Sequence, residues 1–198
     1  MYSINKNIRN EITINKSKFI TYLFKVNSKN DIDKLIKQVK DEYKDATHYC
    51  YAYIVDDNIK CSDDGEPSKT AGAPLLNVLK KNKLDHVLVI VVRYFGGVKL
   101  GVGGLVRAYT KSITECLKLI DIIELNSGYL VEINFDHSNI KQIDFILKNI
   151  DTNKIYNNII TYRFCVKKDD LESIKNKLNN YILNLKIVEN VYIWFNSC

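Results

Sequence analysis

Seven of the eight glycines and both prolines of this 198-residue chain lie between Gly65 and Gly104. Glycine admits positive φ and close backbone approach, and proline fixes φ. Tight turns are therefore concentrated in one stretch, and the rest of the chain must form long regular elements. The stretch reads S-D-D-G-E-P-S-K-T-A-G-A-P, a short helical run, then H-V-L-V-I-V-V-R-Y-F-G-G-V-K-L-G-V-G-G-L-V-R-A-Y. Two glycine-bearing loops thus flank one very apolar strand. That layout suggests a built surface rather than incidental connections.

The patterns around it predict an α+β chain. Lys18–Val26 is aromatic and β-branched and reads as a strand, with Ile8–Ile14 as a hairpin partner. Residues 31–44 place Ile32, Leu35, Ile36, Val39 and Tyr43 at helical spacing, with Asn30 as a candidate N-cap. Thr47–Val55 alternates as a strand, with His48 and Cys50 on one face and Tyr49, Tyr51 and Tyr53 on the other. A tyrosine row can stack bases, but such a row more often packs within a sheet. Pro74 opens a short helix over 75–81. His86–Phe95 is apolar on both faces and so central. Gly104–Ile120 reads as a second long helix with Arg107, Lys111 and Lys118 on its polar side. After a boundary near 126–128, strands and helices follow in βαββαβ order, the pattern of a ferredoxin-like domain.

Charge and cysteine usage narrow the function classes. The net charge is +6, with 20 Lys and Arg against 15 Asp and Glu in residues 1–125, and 9 against 8 in residues 126–198. The excess accompanies the glycine loops and leans towards a polyanionic partner, although general lysine enrichment would also produce it. Cys50, Cys61, Cys116, Cys165 and Cys198 contain no C-x-x-C pair, which argues against a disulfide framework or a zinc site. The N-terminal residues show no apolar signal segment, and the longest aliphatic run, Val87–Val92, is far too short to span a bilayer. A cytoplasmic protein without membrane attachment is expected.

Strand, glycine loop and helix is also a phosphate-binding layout, with Lys99 inside the loop and Arg93 and Arg107 beside it. Neither a P-loop nor a Gly-x-Gly-x-x-Gly fingerprint is present, so nucleotide hydrolysis and dinucleotide cofactors are not expected. Backbone-mediated anion binding remains open. The earlier loop offers Asp63, Asp64 and Glu66, which could hold a hard cation or simply form an acidic turn. Ser68 or Thr70 could cap a turn or the next helix. His48 and Cys50 share a strand face without that ensuring a nucleophile pair.

Several blocks in order resemble the Impact/YigZ family. They are Ser17–Phe19, Ala46–Tyr53, Ser62–Ser68, Thr70–Gly72 with Pro74, Val92–Gly101, and Gly103–Tyr109. The resemblance covers the first domain and implies a ribosomal-protein-S5 domain-2-like fold over residues 1–125. A ferredoxin-like domain over 126–198 would follow, as in bacterial members. It further implies a non-enzymatic, translation-associated regulator that binds RNA, the ribosome or a ribosome-associated protein, with no cofactor or metal. Eukaryotic members bind a ribosome-associated activator of a translation-control kinase; they carry a different extra domain, so the resemblance does not extend that kinase-pathway role to this chain.

The candidate anion-binding residues are Lys18, Arg93, Gly96, Gly97, Lys99, Gly101, Gly103, Gly104 and Arg107. The candidate interaction loop comprises His48, Asp64, Gly65, Glu66, Ser68, Lys69 and Thr70. Where the family carries glycine, this chain has Lys69, which would cost about 1 kcal/mol or more if that position needs positive φ. Two alternatives remain. One is a Mg-dependent hydrolase or transferase acting on a phosphorylated small molecule, with Asp64 and Glu66 holding the metal and Ser68 or His48 assisting. The other is a protein-interaction module built on the 62–72 loop.

Overall fold

A computed structural model describes residues 1–195. They divide into two compact units, Met1–Glu124 and Leu125–Phe195. Among these residues no helix is long and apolar enough to cross a membrane. Cys198 lies outside them.

The first unit is built on a five-stranded antiparallel sheet in the order β2-β3-β6-β4-β5. The strands are β2 (Ile8–Ile14), β3 (Ser17–Lys25), β4 (His48–Val55), β5 (Asn58–Ser62) and β6 (Val87–Tyr94). The double-sided apolarity of β6 places it centrally, between β3 and β4. Its alternate residues serve two cores. Val87, Val89 and Val91 join Phe19, Leu23, Cys50 and Ala52 under α2 (Gly72–Lys81) and α3 (Gly101–Leu117). Leu88, Ile90 and Val92 join Ile20, Tyr22 and Tyr53 under α1 (Lys29–Glu42). Tyr49 and Tyr51 pack against this second core, so the tyrosine row is covered by α1 rather than presented for stacking.

The hairpin β2–β3 closes in two residues. Ile14 pairs with Ser17, and Asn15 and Lys16 both take positive φ, as a type I′ turn requires. Ser28 caps α1 instead of Asn30, because the Asp31 carboxylate accepts the Ser28 N–H at 3.0 Å. The helix α3 begins three residues before the expected Gly104, taking Gly103 and Gly104 into its first turn. A short strand, β1 (Tyr2–Ile4), pairs with Ile122–Glu124, the first residues of β7 (Ile122–Phe135). β1 and β5 do alternate, but at three and five residues, with two apolar side chains each, they are too short to stand out in the sequence.

The second unit follows the order β7, α4 (Ile140–Ile146), β8 (Thr152–Tyr156), β9 (Ile160–Lys167), α5 (Leu171–Leu178), β10 (Asn184–Phe195). This is the βαββαβ order read from the residues. In space the strands run β10-β7-β9-β8. Val131, Ile133 and Phe135 of β7 and Ile160, Tyr162, Phe164 and Val166 of β9 face the helices and pack on Ile143, Leu147 and Leu178. On the opposite face Arg163 pairs with Glu132 at 2.6 Å. Gly128 fits only because it has no side chain, since a Cβ there would lie 2.4 Å from the Val166 carbonyl oxygen.

Candidate functional site

The two glycine loops meet at one end of the first unit's sheet, but they are built differently. In residues 62–72 nearly every polar group has an internal partner. Asp63 accepts the Lys69 N–H at 2.8 Å, and on its other oxygen those of Ala71 at 2.9 Å and Gly72 at 2.8 Å. It thereby caps α2 from nine residues upstream, a role for which Ser68 and Thr70 were only candidates. Burial pushes the Asp63 carboxyl up, but the N–H donors overcome that and hold it below the ordinary carboxylate range. Thr70 instead donates its hydroxyl to the Pro67 carbonyl at 2.6 Å. Asp64 accepts the Tyr49 N–H at 2.8 Å, and its carbonyl accepts from His48 Nδ1 at 2.8 Å.

Glu66 is the centre of a buried network. Its Oε1 accepts from Arg93 Nη1 at 2.5 Å and from the Tyr109 hydroxyl at 2.8 Å. Arg93 Nη2 lies 3.4 Å from Ser17 Oγ, and Cys50 Sγ lies 3.3 Å from the Tyr109 hydroxyl. Four elements are joined through one carboxylate: β3, β4, β6 and α3. Arg93 is only 5% exposed, so it is not available as a surface phosphate contact. It belongs to the scaffold, as a cross-loop ion pair with Glu66. Burial raises the Cys50 thiol and the Tyr109 phenol well above their ordinary values. Cys50 is therefore a protonated core thiol, not an activated nucleophile.

These partners also decide the carboxylate question. Asp63 is spent on backbone N–H groups, Asp64 on Tyr49, and Glu66 on Arg93 and Tyr109. Among the described residues no group of three or more His, Cys, Asp and Glu side chains could hold a metal ion.

Lys69 stands at φ 64°, in the left-handed region. The loop does demand positive φ there, and lysine bears the strain. Gly65, Pro67, Ser68 and Lys69 are the exposed members of this loop, while His48, Asp64, Glu66 and Thr70 are held by internal bonds.

The second loop, residues 95–100, leaves its one cation, Lys99, in water, and α3 does the same with Arg107. Both are exposed, and among the described residues neither has a hydrogen bond or ion pair. Lys16, also exposed, joins them from the β2–β3 turn. Its main chain abuts Gly96 so closely that a Cβ on Gly96 would sit 2.0 Å from the Lys16 carbonyl. The Gly96 N–H is used internally, donating to Ser17 Oγ at 3.2 Å. The role of Gly96 is thus close approach of two backbones rather than anion binding. Gly97 (φ 81°) and Gly101 (φ 70°) supply the turns that lead into α3. Lys18 is less available than its neighbours because it pairs with Glu11 at 2.9 Å.

Two shallow grooves flank Leu100. One, of about 310 Å³, is bordered by Phe95, Lys99, Val102 and the buried Glu66–Arg93 pair. The other, of about 250 Å³, is bordered by Asn15, Gly104, Arg107 and Lys111. Leu100, which N-caps α3, offers no side-chain bond to the first turn, so the helix end keeps its partial positive charge uncapped.

Four positions of importance escaped the sequence reading: Ser17, Asp63 as a cap, Lys16 and Tyr109. Tyr109 carried a usable signal. A phenol on the core face of a helix needs a buried acceptor, and Glu66 in the apolar-flanked loop was the available one.

Comparison with known proteins follows the same division. Residues 15–117 match the Impact N-terminal domain, a stretch that runs from β3 to the end of α3 and includes both loops. The chain is 41% identical over 150 residues to the IMPACT family member YvyE of Bacillus subtilis, covering 71% of this chain and 69% of that protein. It is 39% identical over 110 residues to the IMPACT family member YigZ of Escherichia coli, a match spanning 53% of this chain and 54% of YigZ. A crystal structure described as that of a hypothetical protein superposes with a TM-score of 0.66 at 26% identity, covering 95% of this chain and 97% of the other.

Proposed function

The chain belongs to the Impact family, and on that premise we propose that it is a non-enzymatic, translation-associated binding protein. Its ligand is RNA, free or within the ribosome, held by phosphate contacts at the N-terminal end of α3. We take residues 1–125 as the S5 domain-2-like binding domain and 126–198 as a ferredoxin-like companion in a cytoplasmic protein. The supporting observation is that Lys99 and Arg107 border two adjoining grooves, exposed and, among the described residues, without acidic partners, with the exposed Lys16 nearby against Gly96. Cations left unpaired beside an uncapped helix end form an electrostatic footprint for a polyanion. Glu66, the carboxylate that borders the groove beside Lys99, is buried and neutralised by Arg93 and so does not repel one.

The chemistry of the site favours binding over turnover. Its only buried thiol is held protonated, and its acids are committed to structural bonds. A filter-binding titration of the full chain with a mixed RNA, at about 50 mM and about 200 mM salt, tests the reading. Retention should fall steeply with salt. Replacing Lys99 and Arg107 together by glutamine should flatten the log–log salt slope by about 1 per cation removed. Absence of RNA retention at the lower salt would overturn the proposal.

A further inference from the structure

We infer that the groove beside Phe95 receives one unstacked base of a single-stranded RNA. This rests on the RNA reading above and narrows it, from a polyanion to a strand with accessible bases. Phe95 is 47% exposed and Val102 64% exposed, and both border the groove. Phe95 is also held from below: the Arg93 guanidinium carbon lies 5.8 Å from its ring centroid, and Arg93 is fixed in turn by Glu66. A ring presented to solvent yet restrained on its inner side is a stacking platform that loses little freedom on binding.

The polar groups at the groove decide among occupants. The first-turn N–H groups of α3 have no side-chain cap. These are donors, and they adjoin apolar walls. An aliphatic peptide side chain would match the walls and leave the donors unmet. A bare phosphate would meet the donors and leave Phe95 and Val102 in water. A nucleobase supplies a π-face together with carbonyl and ring-nitrogen acceptors, and its own phosphates reach Lys99 at the rim. Bases inside an A-form duplex are stacked and cannot enter such a groove, so the ligand is single-stranded.

The test uses fluorescence anisotropy on the full chain at low salt with three labelled probes: a short oligouridine, the same strand with abasic riboses, and a blunt RNA duplex. Oligouridine should bind about tenfold or more tighter than the abasic strand. Phe95→Ala should erase that difference. Phe95→Leu, which keeps bulk but loses the π-face, should erase most of it, and thermal unfolding of both variants checks that they fold. Equal affinity for the base-bearing and abasic strands, a preference for duplex, or full preference retained in folded Phe95→Leu would each overturn the inference while leaving phosphate binding intact. No binding of any probe would remove both this inference and the reading beneath it.

Discussion

Residues 62–72 and 95–104 look alike as sequence. Both are glycine-bearing, charged and adjacent to β6. In the structure the first has turned its charges inward and the second has turned them outward. Asp63, Asp64 and Glu66 each have internal donors, whereas among the described residues Lys99 and, just inside α3, Arg107 have no side-chain partner. A charged residue in a loop is evidence of a site only when nothing within the fold accounts for its charge. The acidic loop is the frame on which the basic one is mounted.

That contrast can be broken by mutation, and the largest effect should come from the frame. Glu66→Ala leaves Arg93 buried without its counter-charge, and we expect a loss of about 4 kcal/mol in urea-denaturation stability. A near-neutral result would mean that the Glu66–Arg93 pair is not buried as described. Asp63→Asn should cost about 2 kcal/mol at neutral pH by weakening the acceptor of three backbone N–H groups. Its pH dependence follows from the depressed carboxyl. A depressed acid contributes stability above its unfolded pKa, about 3.9, and loses it as pH falls through the lower folded value. The gap between wild type and Asp63→Asn should therefore narrow as pH falls below about 4 in urea titrations.

The smaller effects probe the opposite sign and then silence. Lys69→Gly relieves a left-handed lysine and should stabilise by about 1 kcal/mol, partly offset by a more flexible unfolded chain. Destabilisation would show that the Lys69 side chain makes a compensating contact. Replacing Lys99 and Arg107 by glutamine should change stability by less than about 0.5 kcal/mol. A larger loss would place those cations in the frame as well and dissolve the distinction between the two loops.

Much of the fold was legible because apolar period carries it. The double-sided run Val87–Val92 located the central strand, and the 3.6-residue spacing of Ile32, Leu35, Ile36 and Val39 located α1. What escaped were features set by long-range bonds. Asp63 caps a helix that begins nine residues later, and β5 pairs through its backbone with little apolar content of its own. The site divides in the same manner. Lys99 and Arg107 were visible as cations near glycine. Arg93 was visible too, but only its partner Glu66, 27 residues away, shows that it is scaffold. Lys16 was hidden because its place depends on Gly96 accepting its main chain.

That last apposition bears on the speed of recognition. With the hairpin tip and the loop before α3 locked backbone to backbone, the two sides of the neighbouring groove cannot drift apart independently. A ligand would meet a surface already in its receiving shape, so its arrival rate should be governed by charge steering rather than by any rearrangement of the protein.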